Sequence, residues 1–137
     1  MTLNENLYQL SATKAASLIG KKEISPVELV DALLDRIAEY DSKLQSFATV
    51  TGDIARKQAK DAEREILATG PKSPMHGVPY GLKDIIDTAG TPTEAGSKVY
   101  EGRVPEKDAH VVRLFNAAGA IMIGKTVTTE FAGGHPS

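Results

Sequence analysis

Glycine and proline are spread so unevenly that they divide this chain into two parts of different architecture. Ten of the 12 glycines and six of the seven prolines lie from Gly70 onward. Glycine weakens helix interiors and proline breaks them. Residues 1–70 are therefore expected to be helical, and residues 71–137 to be an α/β portion that turns often. In the first part, Ser11 is placed to cap a short helix running to about Ile19, with Gly20 as its stop. In ISPVELVDALLDRIAEY, Ser25, Pro26 and Glu28 give a cap, a first-turn proline and a capping-box acid. Val27, Val30, Leu33, Leu34 and Ile37 follow at helical spacing. SFATV is a candidate strand. A third helix, about Asp53 to Ala68, carries Ile54, Ala55, Ala59, Ala62, Ile66 and Leu67 among charges.

In the second part, Val78 to Asp87 reads as a strand or strand pair. Asp108 is placed to cap a helix from Ala109 to about Ala118, stopped by Gly119. Ala120 to Ile123 reads as a short strand, and Thr126 or Thr128 as the start of another short helix. Strands separated by helices predict an α/β sheet. A chain of 137 residues suffices for one domain with a core. A net charge of −2 gives no basic footprint for nucleic acid. The lack of cysteine excludes disulfides, thiolate catalysis and Cys-based zinc sites, and suits a reducing compartment. No apolar run approaches the roughly 18 residues of a membrane span, and MTLNENLYQL has no signal-peptide pattern. The expectation is a cytoplasmic protein with no cofactor, nucleic acid or membrane partner.

The segment VPYGLKDIID places a lysine and an aspartate inside an apolar strand. Side chains alternate along a strand, so Gly81, Lys83 and Ile85 share one face while Leu82, Asp84 and Ile86 share the other. Apolar residues on both faces predict that the strand is covered on both sides. Two readings of Lys83 follow. It reaches solvent at the strand end while Asp84 caps a turn, or it is held in a dry site. In the second case burial favours the neutral amine, which accepts a proton as a general base. Gly77, Gly81, Gly90 and Gly96 surround the pair and permit close backbone approach.

The stretch HGVPYGLKDIIDTAGTPTEAGS resembles the amidase signature family, in which a Gly-Val-Pro segment leads to a Lys-Asp pair and a Thr-rich loop ending Ala-Gly-Ser. The later stretch DAHVVRLFNAAGAIMIGKTVTTEFA resembles the family's next block, and ISPVELVDALLDRI its opening helices. The resemblance implies N-terminal helices followed by part of a mixed α/β/α amidase-signature sheet. It implies hydrolysis of a non-peptide amide carbon–nitrogen bond in a small-molecule substrate by a Ser-cisSer-Lys mechanism. Lys83 matches the lysine that serves as general acid/base, exchanging its proton with a relay serine that serves a second, nucleophilic serine. The family acts on simple amides, fatty amides and the glutamine amide used in transamidation.

By the same resemblance, both serines are missing. The family's relay serine sits in a Gly-Gly-Ser-Ser-Gly-Gly motif, whereas Gly133 and Gly134 precede His135 here. Neither Ser97 nor Ser137 is promoted into the vacant roles; Ser97 is expected to satisfy loop backbone. The chain is thus expected to be the N-terminal fragment of a longer amidase and inactive alone, whether as a cloning fragment, a proteolytic product or a truncated gene. A sheet cut short invites association with itself or with the missing remainder. The alternative is a non-catalytic, self-associating or interaction module.

Other candidates are weaker. GAIMIGKT, Gly119 to Thr126, matches the phosphate-loop pattern G-x-x-x-x-G-K-S/T. Its Ala-Ile-Met-Ile favours an extended strand over a curled loop, so Lys125 is expected to be a structural or loop lysine at a strand end. His76 adjoins the lysine strand and reads as an ordinary turn histidine or as a residue lining the lysine site. His110 reads as a surface or boundary residue, and His135 shares no metal-ligand spacing with either. Asp84, Asp87, Glu94 and Glu130 supply carboxylates, with Asp84 expected to anchor backbone or pair near Lys83. Tyr80 and Phe131 read as packing residues, and residues 130–132 approach a substrate pocket by resemblance.

Overall fold

The computed structural model describes residues 7–134. Four α-helices and three strands follow one another as α1 (Ala12–Gly20), α2 (Pro26–Leu44), β1 (Phe47–Val50), α3 (Gly52–Thr69), β2 (Pro79–Lys83), α4 (His110–Ala118) and β3 (Ile121–Thr126). Short 3₁₀ turns lie at Leu7–Gln9, Lys98–Tyr100 and Glu130–Ala132. The sheet order is β1-β3-β2, with β1 antiparallel and β2 parallel to the central β3. Among the described residues, no helix is long and apolar enough to cross a membrane.

The caps act as their chemistry dictates. Ser11 accepts the Lys14 N–H at 3.2 Å. Ser25 and Glu28 close a full capping box on α2. Asp108 does not cap α4. Its carboxylate accepts the Ala89 N–H at 2.7 Å and Asn116 Nδ2 at 3.2 Å, and α4 begins after Ala109 with no side-chain cap. The shift from Ile19, Ala68 and Ala109 to the observed helix ends is a residue or so. In α3 the buried stripe is Ala55, Ala59, Ala62 and Ile66, whereas Ile54 and Leu67 point to solvent. The main core joins α1, α2 and α3 to Val78, Ile121 and Ile123 of the second part. A smaller core on the other side of the sheet gathers Leu82, Val112 and Met122, with Tyr80, Ile86 and Ala109 packed against it.

Two sheet details correct the sequence expectations. First, β2 stops at Lys83 rather than Asp87, because β3 ends at Thr126, which pairs with Lys83. With no ladder partner left, the chain turns, and Ile86 N–H donates to Lys83 C=O at 3.0 Å. Second, β2 is not covered on both sides: Leu82 and Asp84 are buried, but Gly81, Lys83 and Ile85 are exposed. A bulge separates Tyr80, paired with Met122, from Gly81, paired with Gly124, so β3 carries one extra residue there. Gly124 fits because a Cβ there would lie 2.6 Å from Thr49 C=O on β1. No regular helix starts at Thr126 or Thr128. A 3₁₀ turn forms at Glu130–Ala132 instead, with left-handed Phe131 inside it.

Candidate functional site

Lys83 is the last residue of β2, exposed, at the carboxyl end of the two parallel strands. That end is where open α/β sheets bind ligands. Three chain segments are laced together beside it. Asp84 N–H donates to Thr126 C=O at 2.9 Å, Ala95 N–H to Asp84 C=O at 2.8 Å, and Phe131 N–H to Ala95 C=O at 2.8 Å. Ser97 Oγ donates to Glu130 Oε1 at 2.7 Å and accepts Val99 N–H at 3.2 Å. Its hydroxyl is thus committed to local structure, as expected of a turn serine. The lacing forces unusual backbone: Ala95, Phe131 and Ala132 have φ of 54°, 49° and 56°. Left-handed non-glycine residues of this kind cost about 1–3 kcal/mol each and cluster at functional sites. Gly96, with φ of 63°, lies so close to the Thr128–Thr129 segment that a Cβ would sit 2.5 Å from Thr128 C=O.

The dry lysine of this region is Lys125, not Lys83. Because of the β3 bulge, Lys125 pairs with Leu82 and shares its buried face, whereas Lys83 lies on the open one. Lys125 is 0 % exposed. Its Nζ donates to Ile86 C=O at 2.8 Å and Thr93 Oγ1 at 2.6 Å. Asp84, 2 % exposed, holds Oδ1 at 3.9 Å from that ammonium. Asp84 Oδ2 accepts Glu94 N–H at 3.2 Å, and Oδ1 finds no hydrogen-bond partner among the described residues. Burial lowers the Lys125 pKa below its ordinary value, and Asp84 opposes that. Burial raises the Asp84 carboxyl, against the pull of Glu94 N–H and Lys125. Of the two expectations for Asp84, the structure shows the backbone anchor, through Glu94 N–H; its charged neighbour is Lys125 rather than Lys83. The Thr-rich run from Thr88 to Thr93 was the available signal, since dense threonine suits a buried polar lining.

The remaining candidates separate from Lys83. GAIMIGKT runs from the end of a helix into an extended, bulged strand and not a curled loop, and its lysine is sealed from solvent, so it forms no phosphate cradle. His76 is buried at the opposite end of β2. It accepts Lys72 N–H on Nδ1 at 3.2 Å and sets Nε2 3.3 Å from Glu65. It lines a small cavity of about 180 Å³ with Gln58, Lys72, Asn116 and Gly119. Asp87 is clamped by Arg103 through bonds of 2.7 and 2.8 Å, which hold its carboxyl below the usual range. Glu94 accepts Gly102 N–H at 2.7 Å. Asp84, Asp87, Glu94 and Glu130 are each engaged by a different hydrogen-bond donor. Tyr80 stacks on Phe115 at 4.3 Å, and burial pushes its phenol up to about 12. Phe131 is exposed and meets Tyr100 edge-on at 5.4 Å, beside the lysine end. His110 is exposed; His135 and Ser137 lie outside the described residues. Among the described residues no cluster of three metal-ligating side chains forms.

The Amidase family matches residues 28–135. The chain belongs to the Amidase family. A glutamyl-tRNA(Gln) amidotransferase subunit from Roseiflexus castenholzii is 43 % identical over 128 residues, covering 93 % of this chain and 26 % of that protein. The peptide amidase of Stenotrophomonas maltophilia superposes with a TM-score of 0.86 at 32 % identity, over 93 % of this chain and 26 % of that one. An amidase family protein from Bacillus anthracis superposes at 0.82 with 27 % identity, over 93 % and 26 %. This amidase chain therefore spans about a quarter of the length of the relatives it matches. Its mixed α/β fold, with N-terminal helices and part of an amidase sheet, is the fold those enzymes share.

Proposed function

We propose that this chain is the lysine-bearing N-terminal part of a cytoplasmic amidase that cleaves a non-peptide amide carbon–nitrogen bond. Residues 1–70 serve as the helical scaffold and residues 71–137 present Lys83. The observation that carries the reading is the position of Lys83. It stands exposed at the carboxyl end of β2, beside the strained 95–97 and 130–132 segments, in a chain of this family. Lys83 acts as general acid/base, taking a proton through a relay serine as a nucleophilic serine attacks the amide carbonyl. The proton then returns to the leaving amine, and water or another amine resolves the acyl-enzyme. Both serines are assigned to the part of the longer relatives that this chain does not span.

The name of the amidotransferase relatives adds amide transfer, in a multi-chain assembly, as the outcome alternative to hydrolysis. The test is ammonia release from a carboxamide. The purified 137-residue chain is expected to release none. The longer protein is expected to lose about a hundredfold to ten-thousandfold in kcat on Lys83→Ala. Serine-reagent-sensitive hydrolysis by the short chain, or an unaffected Lys83→Ala enzyme, overturns the reading.

A second reading, a non-catalytic self-associating module, draws on the exposed Val99, Leu114 and Phe131 and on the outer strands β1 and β2. Sedimentation of the short chain decides it. Concentration-dependent association supports a module, and a well-dispersed monomer removes it.

A further inference from the structure

We propose that Lys125 is a positioning residue for Lys83, an inference that rests on the amidase reading above. The segment immediately after Lys83 is fixed by a set of bonds that meet on buried groups. Asp84 backbone is tied to Thr126 and Ala95, and its carboxylate to Glu94 N–H. Two residues further on, Ile86 C=O receives the Lys125 ammonium, which also donates to Thr93 Oγ1. Lys125 therefore spans three segments: β3, on which it sits, the turn after Lys83, and the threonine loop that carries Glu94, Ala95 and Gly96. It is the charged donor of the set and is sealed from water, so water cannot replace its bonds.

The geometry separates holding from reacting. The bulge in β3 turns Lys125 to the face opposite Lys83, so the two ammonium groups do not share a surface. Lys125 touches no substrate on this arrangement. It acts through backbone, by fixing where β2 ends and where the strained 95–97 turn meets residues 128–131. Proton transfer demands placement to a fraction of an ångström, and a remote displacement of about 1 Å can cost about a hundredfold in rate. A buried cation is a costly way to tie two loops. Beside a reacting lysine, the placement it enforces offsets that cost.

The experiment uses the longer protein that contains this chain, with kcat expressed per site titrated by a fluorophosphonate, so that unfolded molecules are not counted. Lys125→Met is expected to lower kcat about tenfold to a hundredfold while KM moves less than about twofold. Thr93→Val is expected to lower kcat by a smaller factor, and Thr93→Ser, which keeps the hydroxyl, to restore it. Should Lys125→Met not fold, the Thr93 pair alone decides. Normal kcat per titrated site in these variants, with only thermal stability reduced, overturns the proposal and leaves the amidase reading intact. A wild type that hydrolyses no amide, or is indifferent to Lys83→Ala, overturns both.

Discussion

The two lysines at the end of the parallel strand pair stand one register step apart and live in opposite environments. Lys83 closes β2 on an open face; Lys125 lies in β3, opposite Leu82, with no exposed surface. The same residue type does opposite work because one extra residue in β3 reverses which side each strand presents. The open lysine presents its side chain to solvent. The closed one has its three donor positions turned to a carbonyl, a hydroxyl and a nearby carboxylate. On the amidase reading proposed above, the reactive group and its mount are both lysines. Their difference is wholly one of placement.

The largest effect expected from this contrast is in stability. Lys125→Met strips the ammonium from Asp84, whose Oδ1 has no hydrogen-bond partner among the described residues, and leaves Ile86 C=O and Thr93 Oγ1 facing a thioether. Breaking a buried pair in this way costs about 3–5 kcal/mol. Lys83→Met, on the exposed face, should stay within about 0.5 kcal/mol of wild type. Urea unfolding of the short chain checks both. Equal losses from the two substitutions break the comparison, because they mean that Lys83 is packed and not presented.

What could be seen in advance follows the range of the interactions involved. The α2 start was legible because Ser25, Pro26 and Glu28 act within one turn of each other. The strand carrying Lys83 was legible from its apolar run and its resemblance to the amidase block. Which lysine would be dry was not. The partners of Lys125 come from residues 32 and 39 positions away, and its facing depends on a bulge that leaves no local mark. A strict alternation counted from Ile121 puts Lys125 on the wrong face. Asp108 failed as a cap for a related reason: Ala89, nineteen positions earlier, offers its carboxylate a better-placed donor. The strained Ala95 and Phe131 were equally hidden, since alanine and phenylalanine carry no preference for positive φ.

An intermediate effect sharpens the comparison at the joint between the two environments. Gly96 adopts φ of 63° against the Thr128 carbonyl, where a Cβ would sit at 2.5 Å. Gly96→Ala must push the 95–97 turn off residues 128–129 at a cost of about 1–3 kcal/mol. Hydrogen exchange should then rise at Phe131, whose amide binds Ala95 C=O across this contact, and at Ala95, whose amide binds Asp84 C=O from the displaced turn, and remain unchanged in α1. Exchange that rises uniformly would show that the lacing at the lysine end is not a local unit.

The smallest effect comes from the far end of β2, where His76 serves as a buried titrating group remote from both lysines. Burial, with Lys72 acting in the same direction, holds its imidazole below the ordinary 6.5, and Glu65 opposes them. Its neighbours across the small cavity, Asn116 and Gly119, carry no charge; Asp61 on α3 adds a carboxylate at the rim. The folded protein thus resists a proton that the unfolded chain accepts near 6.5. Below that value the unfolded state binds more protons, so this contribution to stability is complete above about pH 6.5 and falls as the pH drops toward the folded pKa. Thermal unfolding at about pH 7.5 and about pH 5.5 should show a lower midpoint in acid, and His76→Gln should shrink that difference. Lys125→Met should leave the difference in place, because the lysine end and the histidine end of β2 are held by separate sets of bonds. A pH dependence that vanishes with Lys125 instead would make the two ends one coupled system.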